Sequence, residues 1–214
     1  FKRQTDIISQ MLEKGFEEPF PQNLEELIRK EQEAILKEWS MPTIGRVRVR
    51  KIPAGSLLHF RTSGIYLPHA FEGHLDSGLY ERQHAFTMAH EMGHGYGFAD
   101  ESVCNFIGYI TCKRSKNKWI QYSAELAYWR YLARYYKSFH KGTWAEEYEA
   151  LNPLLLKDLK TIRDYITRYK DLMPKYRDVI YDKYLKTHGV SAGIKSYDQM
   201  IILIASYNAH QSHK

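Results

Sequence analysis

Residues 84–94 read His84-Ala85-Phe86-Thr87-Met88-Ala89-His90-Glu91-Met92-Gly93-His94 and contain a His-Glu-x-x-His pattern. Residues four apart share one face of a helix, so His90 and His94 are predicted to present two imidazoles to one metal ion. Glu91, next to the first histidine, is predicted to point to the same place and to hold a water molecule that the metal activates. The stretch therefore predicts an active-site helix.

The residues after the second histidine predict a third ligand. Gly95-Tyr96-Gly97 predicts a helix break, because glycines are poor in helix interiors and readily adopt positive φ. Asp100 is then predicted to cap a new helix, with Glu101 in its first turn. Two histidines and Glu101, with a fourth position open, are the ligand set of a catalytic zinc site. Asn105, one turn beyond Glu101, is predicted to hydrogen-bond one of the side chains that bind the metal.

Asp100 is an alternative third ligand. The spacing His94-x-x-Gly97-x-x-Asp100 is similar to the metzincin pattern, with Asp where that pattern has His. The predicted helix start favours Glu101 over Asp100. The non-functional interpretation, two partly buried histidines on an amphipathic helix, suits a single histidine better than this complete set.

Hydrophobic periodicity around this stretch predicts a mostly helical α+β domain. Residues 1–42 are predicted to form a helical hairpin, either part of the same domain, which spans 43–214, or a linker from a missing membrane anchor. Alternation and short apolar runs predict a sheet of two or three short strands near 46–50, 56–60 and 64–68. Further helices are predicted near 82–96, 101–112, 118–140, 153–172, 175–187 and 196–208.

Composition excludes several classes of protein. The chain has 214 residues, a formal net charge of +6 and 43% hydrophobic residues, a share too high for a disordered chain. It contains no apolar run of the roughly 18 residues that a membrane span needs. Two cysteines, Cys104 and Cys112, cannot form a disulfide scaffold or a four-thiolate zinc site, and we expect two buried free thiols. The basic charges are spread along the chain, so we expect no nucleic-acid partner.

Several motifs resemble a bacterial family of uncharacterised, membrane-anchored zinc metallopeptidases of the gluzincin type. The similarity runs from about residue 45 to near the C-terminus. Its motifs are Gly64-Ile65-Tyr66-Leu67-Pro68 with Glu72, His90-Glu91-Met92-Gly93-His94, Gly97-Phe98-Ala99 with Glu101-x-x-x-Asn105-Phe106, Tyr122-Ser123, Tyr184-Leu185-Lys186 and Gly193-Ile194-Lys195-Ser196-Tyr197.

The resemblance implies a zincin-like metallopeptidase domain with Glu101 as the third ligand of one zinc ion per chain. Asn105 stands where a larger group of membrane-bound gluzincins has Asp. The family also implies transmembrane helices ahead of the peptidase domain. The chain opens at Phe1 without a signal-like stretch, so we expect it to be the soluble domain of a longer bacterial membrane protein, on either side of the membrane.

The sequence thus predicts a zinc-dependent hydrolase in which Glu91 transfers protons during peptide-bond cleavage. Candidates for a second oxyanion donor are Tyr122, Tyr184 and Tyr197, each of which also fits core packing. Glu72 is a candidate for contact with a basic group of a peptide or protein substrate. The alternatives are a non-catalytic zinc-binding scaffold or sensor, a nucleic-acid binder, and a hydrolase of non-peptide amides; an intact Glu91 argues against the first.

Overall fold

The computed structural model describes residues 1–174 and 199–211, which form helices around a three-stranded sheet. The helices are α1 (Lys2–Lys14), α2 (Leu24–Glu38), α3 (His84–Gly95), α4 (Glu101–Arg114), α5 (Lys118–Phe139), α6 (Trp144–Glu149), α7 (Pro153–Thr167) and α8 (Gln199–Gln211). The strands are β1 (Arg48–Ile52), β2 (Gly64–Leu67) and β3 (Glu72–Asp76). The predicted α+β class with a small sheet is therefore confirmed.

Most of the predicted helices are present. The structure has α3, α4 and α5 where the sequence predicts helices near 82–96, 101–112 and 118–140. The helix predicted over 153–172 ends at Thr167, and the short α6 before it was not predicted. The prediction near 175–187 lies outside the described residues, and the described part of 196–208 falls within α8. Among the helices of the described chain, none is both long and apolar enough to span a membrane.

The sheet has the order β1-β3-β2, with β1 parallel and β2 antiparallel to the central β3. The strand predicted over 56–60 is wrong. The carboxylate of Asp76 accepts hydrogen bonds from the backbone N–H groups of Gly55 and Leu57, at 2.9 and 2.7 Å, and these bonds hold the segment in a turn. The central strand β3 was not predicted, because residues 72–74 lack the apolar alternation of a half-buried strand.

Two hydrophobic clusters form the core of the described chain. The first lies between α2, the sheet, α3, α4 and α8, and Leu75 and Met92 are fully buried in it. The second lies between α1, α5 and α7, with Ile8 and Trp129 at its centre. The two helices within residues 1–42 therefore pack against different parts of the protein and contribute to different clusters.

The sheet lies against α3, and all three strands contact this helix. Because β2 is an edge strand, only β3 pairs with it among the described strands. The edge of β2 that faces away from β3, which is unpaired among the described residues, therefore belongs to a strand that contacts the helix with the His-Glu-x-x-His pattern.

Candidate metal centre and active site

Helix α3 presents His90 and His94 on one face, one turn apart. Their Nε2 atoms lie 3.2 Å apart. The two side chains are only 12% and 16% exposed, so neither is an ordinary solvent-facing histidine. The two ring nitrogens therefore converge on a shared point.

The turn after α3 brings the start of α4 to these histidines. Helix α3 ends at Gly95, and Gly97 follows with φ of 97°, a conformation that glycine adopts without strain. Asp100 then caps α4: its Oδ1 accepts hydrogen bonds from the backbone N–H groups of Ser102 and Val103, at 2.8 and 3.0 Å. These local features agree with the predicted break and cap, and they leave Glu101 as the first residue of α4.

Glu101 contacts both imidazoles. Its Oε2 lies 3.1 Å from Nε2 of His90, and its Oε1 lies 3.5 Å from Nε2 of His94. The residue is 3% exposed, so this carboxylate is held inside the protein. Asp100, the alternative ligand, instead directs its Oδ1 to the backbone of α4. Of the two acids, Glu101 is the one in contact with both histidines.

The spacing of these atoms fits a zinc ion. Two nitrogen ligands about 2.0–2.1 Å from a tetrahedral zinc are about 3.3 Å apart, and the two Nε2 atoms are separated by 3.2 Å. Both separations between the Glu101 oxygens and these nitrogens lie close to the same value. Ligand atoms of His90, Glu91 and His94 also lie within 4.8 Å of one another. Two imidazoles and a carboxylate are a donor set that suits zinc.

The other ring nitrogen of His94 is held by the turn. Its Nδ1 lies 2.9 Å from the carbonyl oxygen of Phe98 and 3.4 Å from Sγ of Cys104. An N–H on Nδ1 that donates to this carbonyl leaves the lone pair on Nε2, where a metal would take it. Cys104 and Cys112 are both buried free thiols, as predicted.

The two carboxylates of the site have opposite pKa shifts. Burial raises the pKa of Glu91, and the neighbouring histidines only partly oppose this effect. Burial acts in the same direction on Glu101, but its contacts with the two imidazoles hold the pKa well below its ordinary value. Opposite shifts are expected when one carboxylate keeps its charge and the other exchanges a proton.

Glu91 is positioned by two glycines of the sheet. A Cβ atom on Gly64 of β2 would lie 2.7 Å from Oε1 and 2.9 Å from Cγ of Glu91. A Cβ atom on Gly73 of β3 would lie 3.1 Å from Cβ of Glu91. Only residues without a side chain let the sheet approach Glu91 this closely, and the sequence alone did not assign this role to them.

A cavity of about 530 Å³ opens beside the histidines. His90 and Glu91 form part of its wall, with residues from the start of β2, from α4 and from α5. Helix α5 is fixed there because the Ser123 hydroxyl accepts a hydrogen bond from the backbone N–H of Phe86, at 3.0 Å. The site is therefore reached from a space large enough for part of a peptide.

Asn105 and Tyr131 lie next to each other in the wall of this cavity. Asn105 is 2% exposed, and its Nδ2 has no hydrogen-bond partner of regular geometry among the described residues. Its amide nonetheless lies close enough to the Tyr131 hydroxyl to lower the pKa of that phenol, which burial raises overall. The structure thus places Asn105 on the cavity, and it adds Tyr131, which was not among the predicted tyrosines.

The remaining candidates lie elsewhere. Tyr122 does not line the cavity: it is fully buried in the second core cluster, and its hydroxyl donates to Asp158. Glu72 does not line the cavity; it is ion-paired with Arg50, at 2.5 Å from the guanidinium Nε. Tyr184 and Tyr197 lie outside the described residues.

Comparison with known proteins identifies a family but no activity. Residues 8–205 match the sequence model of a family described as a protein of unknown function, DUF3810. No curated protein and no solved structure matches the chain.

Proposed function

The chain belongs to the DUF3810 family, and because that description carries no activity, we propose from its own residues that it is a zinc-dependent metallopeptidase. His90, His94 and Glu101 hold the metal ion. Glu91 is the catalytic acid and base, and the adjoining cavity receives the peptide. The observation that carries this proposal is the convergence of three ligand side chains beside a buried Glu91 at an open cavity.

Zinc in this position supplies Lewis acidity and lowers the pKa of a water molecule to about 7. The protein must then accept the proton of the attacking water and return it to the leaving amine. Glu91 is suited to this transfer because burial raises its pKa, and an effective general base has a pKa close to the working pH. An inert zinc scaffold has no need of such a carboxylate.

Tyr131 is the second donor in this proposal. It lines the same cavity as His90 and Glu91. Burial raises the pKa of its phenol, so the hydroxyl stays protonated and can donate a hydrogen bond to a developing oxyanion. Loss of one such donor typically slows the reaction by about 10²–10³-fold.

The edge strand β2 holds the substrate in this proposal. An extended peptide pairs with an exposed strand edge through backbone hydrogen bonds. Gly64 is both the first residue of β2 and part of the cavity wall next to Glu91. A peptide added to this edge would pass Glu91.

Metal content is the first test. The zinc of protein purified without added metal is measured by plasma mass spectrometry, with His90→Ala, Glu101→Ala and Asp100→Ala beside the wild type. We expect about one zinc per chain in the wild type and in Asp100→Ala, and loss of zinc in the other two, as a His₂Glu site requires. A wild-type protein that stays free of zinc after zinc is added would contradict the proposal.

Peptide cleavage is the second test. Zinc-loaded protein is incubated with a diverse peptide library, and new peptide ends are identified by mass spectrometry. Glu91→Gln is the control, because it keeps the shape of the side chain and removes the base. Cleavage that is equal in wild type and Glu91→Gln would point to a contaminating protease and would contradict the assignment.

A further inference from the structure

The cavity beside the histidines has an excess of positive side chains. Arg61, Arg130 and Arg134 all line it, whereas Glu91 is the only carboxylate among its described lining residues. A bound metal ion would add further positive charge. The cavity therefore favours a negatively charged ligand group over a neutral or basic one.

The three arginines differ in what already holds them. The Arg61 guanidinium donates to the carbonyl of Ile166, at 2.5 Å, and lies 3.6 Å from a carboxylate oxygen of Asp171. The Arg134 guanidinium lies over the ring of Tyr131, at 5.2 Å from its centroid. Arg130 makes no side-chain hydrogen bond or ion pair with any described residue.

Arg130 is exposed to solvent at the cavity, so its guanidinium is open to a ligand. Its neighbours affect its pKa in opposite directions: burial and Arg134 lower it, and Tyr131 raises it. Arg130 also lines a neighbouring groove of about 570 Å³ between α5, α6 and α7, so it lies where the two spaces adjoin. A carboxylate in either space could therefore reach its guanidinium.

Asn105 offers a second donor in the cavity wall. The Nδ2 atom of Asn105 is buried without a hydrogen-bond partner of regular geometry among the described residues. An unsatisfied buried donor is unfavourable, and a ligand oxygen would satisfy it. The Asn105 amide lies near the hydroxyl of Tyr131, the residue that follows Arg130 on α5. Two donors in the same wall are thus available to one ligand.

We infer that Arg130 is a specificity-determining residue that binds a carboxylate of the substrate, with Asn105 as a second donor in the same cavity. This inference rests on the proposed peptidase function and names its substrate class: peptides with an acidic group close to the cleaved bond. The guanidinium of arginine matches a carboxylate with two parallel hydrogen bonds. The carboxylate belongs either to an aspartate or glutamate side chain or to the C-terminus of the peptide.

Calorimetric titration with four peptides tests the inference. The probes are N-acetylated alanine–serine octapeptides with glutamate or glutamine at the central position, each with a free or an amidated C-terminus. Titrations use metal-free and zinc-loaded protein in a buffer without phosphate or carboxylate. The variant is Arg130→Gln, and the matched control is Arg3→Gln, which removes the same charge from an exposed position on α1.

We expect Arg130→Gln to weaken binding of the peptides that carry a carboxylate by roughly 10- to 100-fold. Binding of the amidated glutamine peptide should stay unchanged. Arg3→Gln leaves all four affinities unchanged. The amidated glutamate peptide and the glutamine peptide with a free C-terminus show which of the two carboxylates is recognised. Equal binding of all four peptides, no measurable binding of any, or an equal loss for all four in Arg130→Gln would overturn the inference.

The two proposals can fail separately. A protein without zinc that still prefers acidic peptides through Arg130 would contradict the peptidase function and leave the carboxylate site standing. A protein that binds zinc and cleaves peptides, but without preference for acidic ones, would contradict only the carboxylate site.

Discussion

Two buried carboxylates, Asp158 and Glu101, have the same side-chain exposure, 4%, but they contact different kinds of groups. Asp158 accepts a hydrogen bond from Arg82 and further ones from the hydroxyls of Tyr80 and Tyr122. Every partner of Asp158 is a donor with a proton to give. The Asp158 centre is therefore complete within the protein, in keeping with a structural role.

Glu101 instead shares its space with ring nitrogens. The Nε2 atoms of His90 and His94 lie 3.2 Å apart, and both lie within 3.5 Å of the Glu101 carboxylate. Three side chains therefore converge on one point. The Glu101 centre also adjoins a cavity, through His90 and Glu91. Burial therefore does not distinguish the two centres; the convergence of ligand atoms beside a cavity does, and it is the basis for our proposal that the Glu101 centre is the functional one.

The strongest test of this contrast is Glu91→Gln. We expect the rate of peptide hydrolysis to fall by about 10²–10⁴-fold, because the general base is lost. Zinc content and the midpoint of urea unfolding should stay close to wild type, since the side chain keeps its shape. Full activity in this variant would show that Glu91 does not transfer the proton.

Asp158→Asn should lower the stability of the protein and leave its zinc content unchanged. It leaves the Arg82 guanidinium without its counter-ion in a ring of aromatic side chains, and removing one partner of such a buried pair costs about 3 kcal/mol. We expect the free energy of unfolding, measured with urea, to fall by about this amount while zinc content stays unchanged. Unchanged stability would mean that the Asp158 centre is not the structural one.

Gly64→Ala tests how the sheet positions Glu91. The added Cβ would lie 2.7 Å from Oε1 of Glu91, so the carboxylate must move, and misplacement of a catalytic group by about 1 Å can cost about 10²-fold in rate. We expect hydrolysis to slow by about 10- to 100-fold with zinc still bound. Gly142→Ala is the matched control, because nothing lies within 4 Å of its added Cβ. Equal rates for the two variants would contradict the positioning role.

The parts that the sequence predicted well are local. The His-Glu-x-x-His helix, the break at Gly97 and the cap at Asp100 depend on residues a few positions apart, so spacing alone places Glu101 near the histidines. The strand predicted over 56–60 failed because Asp76, distant in sequence, takes its backbone N–H groups. Such long-range contacts leave no mark in a hydrophobic pattern.

The cavity wall was missed for the same reason. Helix α5 was interpreted through its core stripe, which includes Tyr122 and Trp129, both of them buried. Arg130 and Tyr131 lie off this stripe and follow Ser123 by seven and eight residues, which is about two turns of helix. The contact of Ser123 with α3 and the cavity lining show that this part of α5 borders the site, and both depend on tertiary structure. The sequence signal that could have indicated this was the presence of polar residues, such as Ser123 and Arg130, on a helix rich in aromatic residues.

His84, the first residue of α3, allows a test by pH. Burial lowers its pKa to about 4 from an ordinary 6.5, and its Nε2 lies 2.8 Å from the carbonyl of Leu79. The unfolded chain therefore binds the extra proton first, and stability is lost as the pH falls below 6.5 towards 4. Between pH 7 and pH 5 the His84 contribution to this loss should be about 2 kcal/mol.

The measurement compares urea unfolding at pH 7 and pH 5 for wild type, His84→Gln and His69→Gln. His84→Gln keeps a donor for Leu79 and removes the titrating group, so its stability should fall less on acidification by about 2 kcal/mol. His69→Gln changes an exposed histidine and should behave like wild type. The same acid sensitivity in all three proteins would show that His84 is not responsible for it.

The smallest expected effect separates a helix cap from a metal ligand. Asp100→Ala removes an acceptor for two backbone N–H groups at the start of α4, and Asn117→Ala does the same at the start of α5, away from the histidines. Each loss of an N-cap should lower the free energy of unfolding by about 1 kcal/mol. If Asp100 acts only as a cap, both variants bind zinc with wild-type affinity in a competition titration with a chelator. A loss of zinc affinity in Asp100→Ala alone would make Asp100 part of the metal centre together with Glu101.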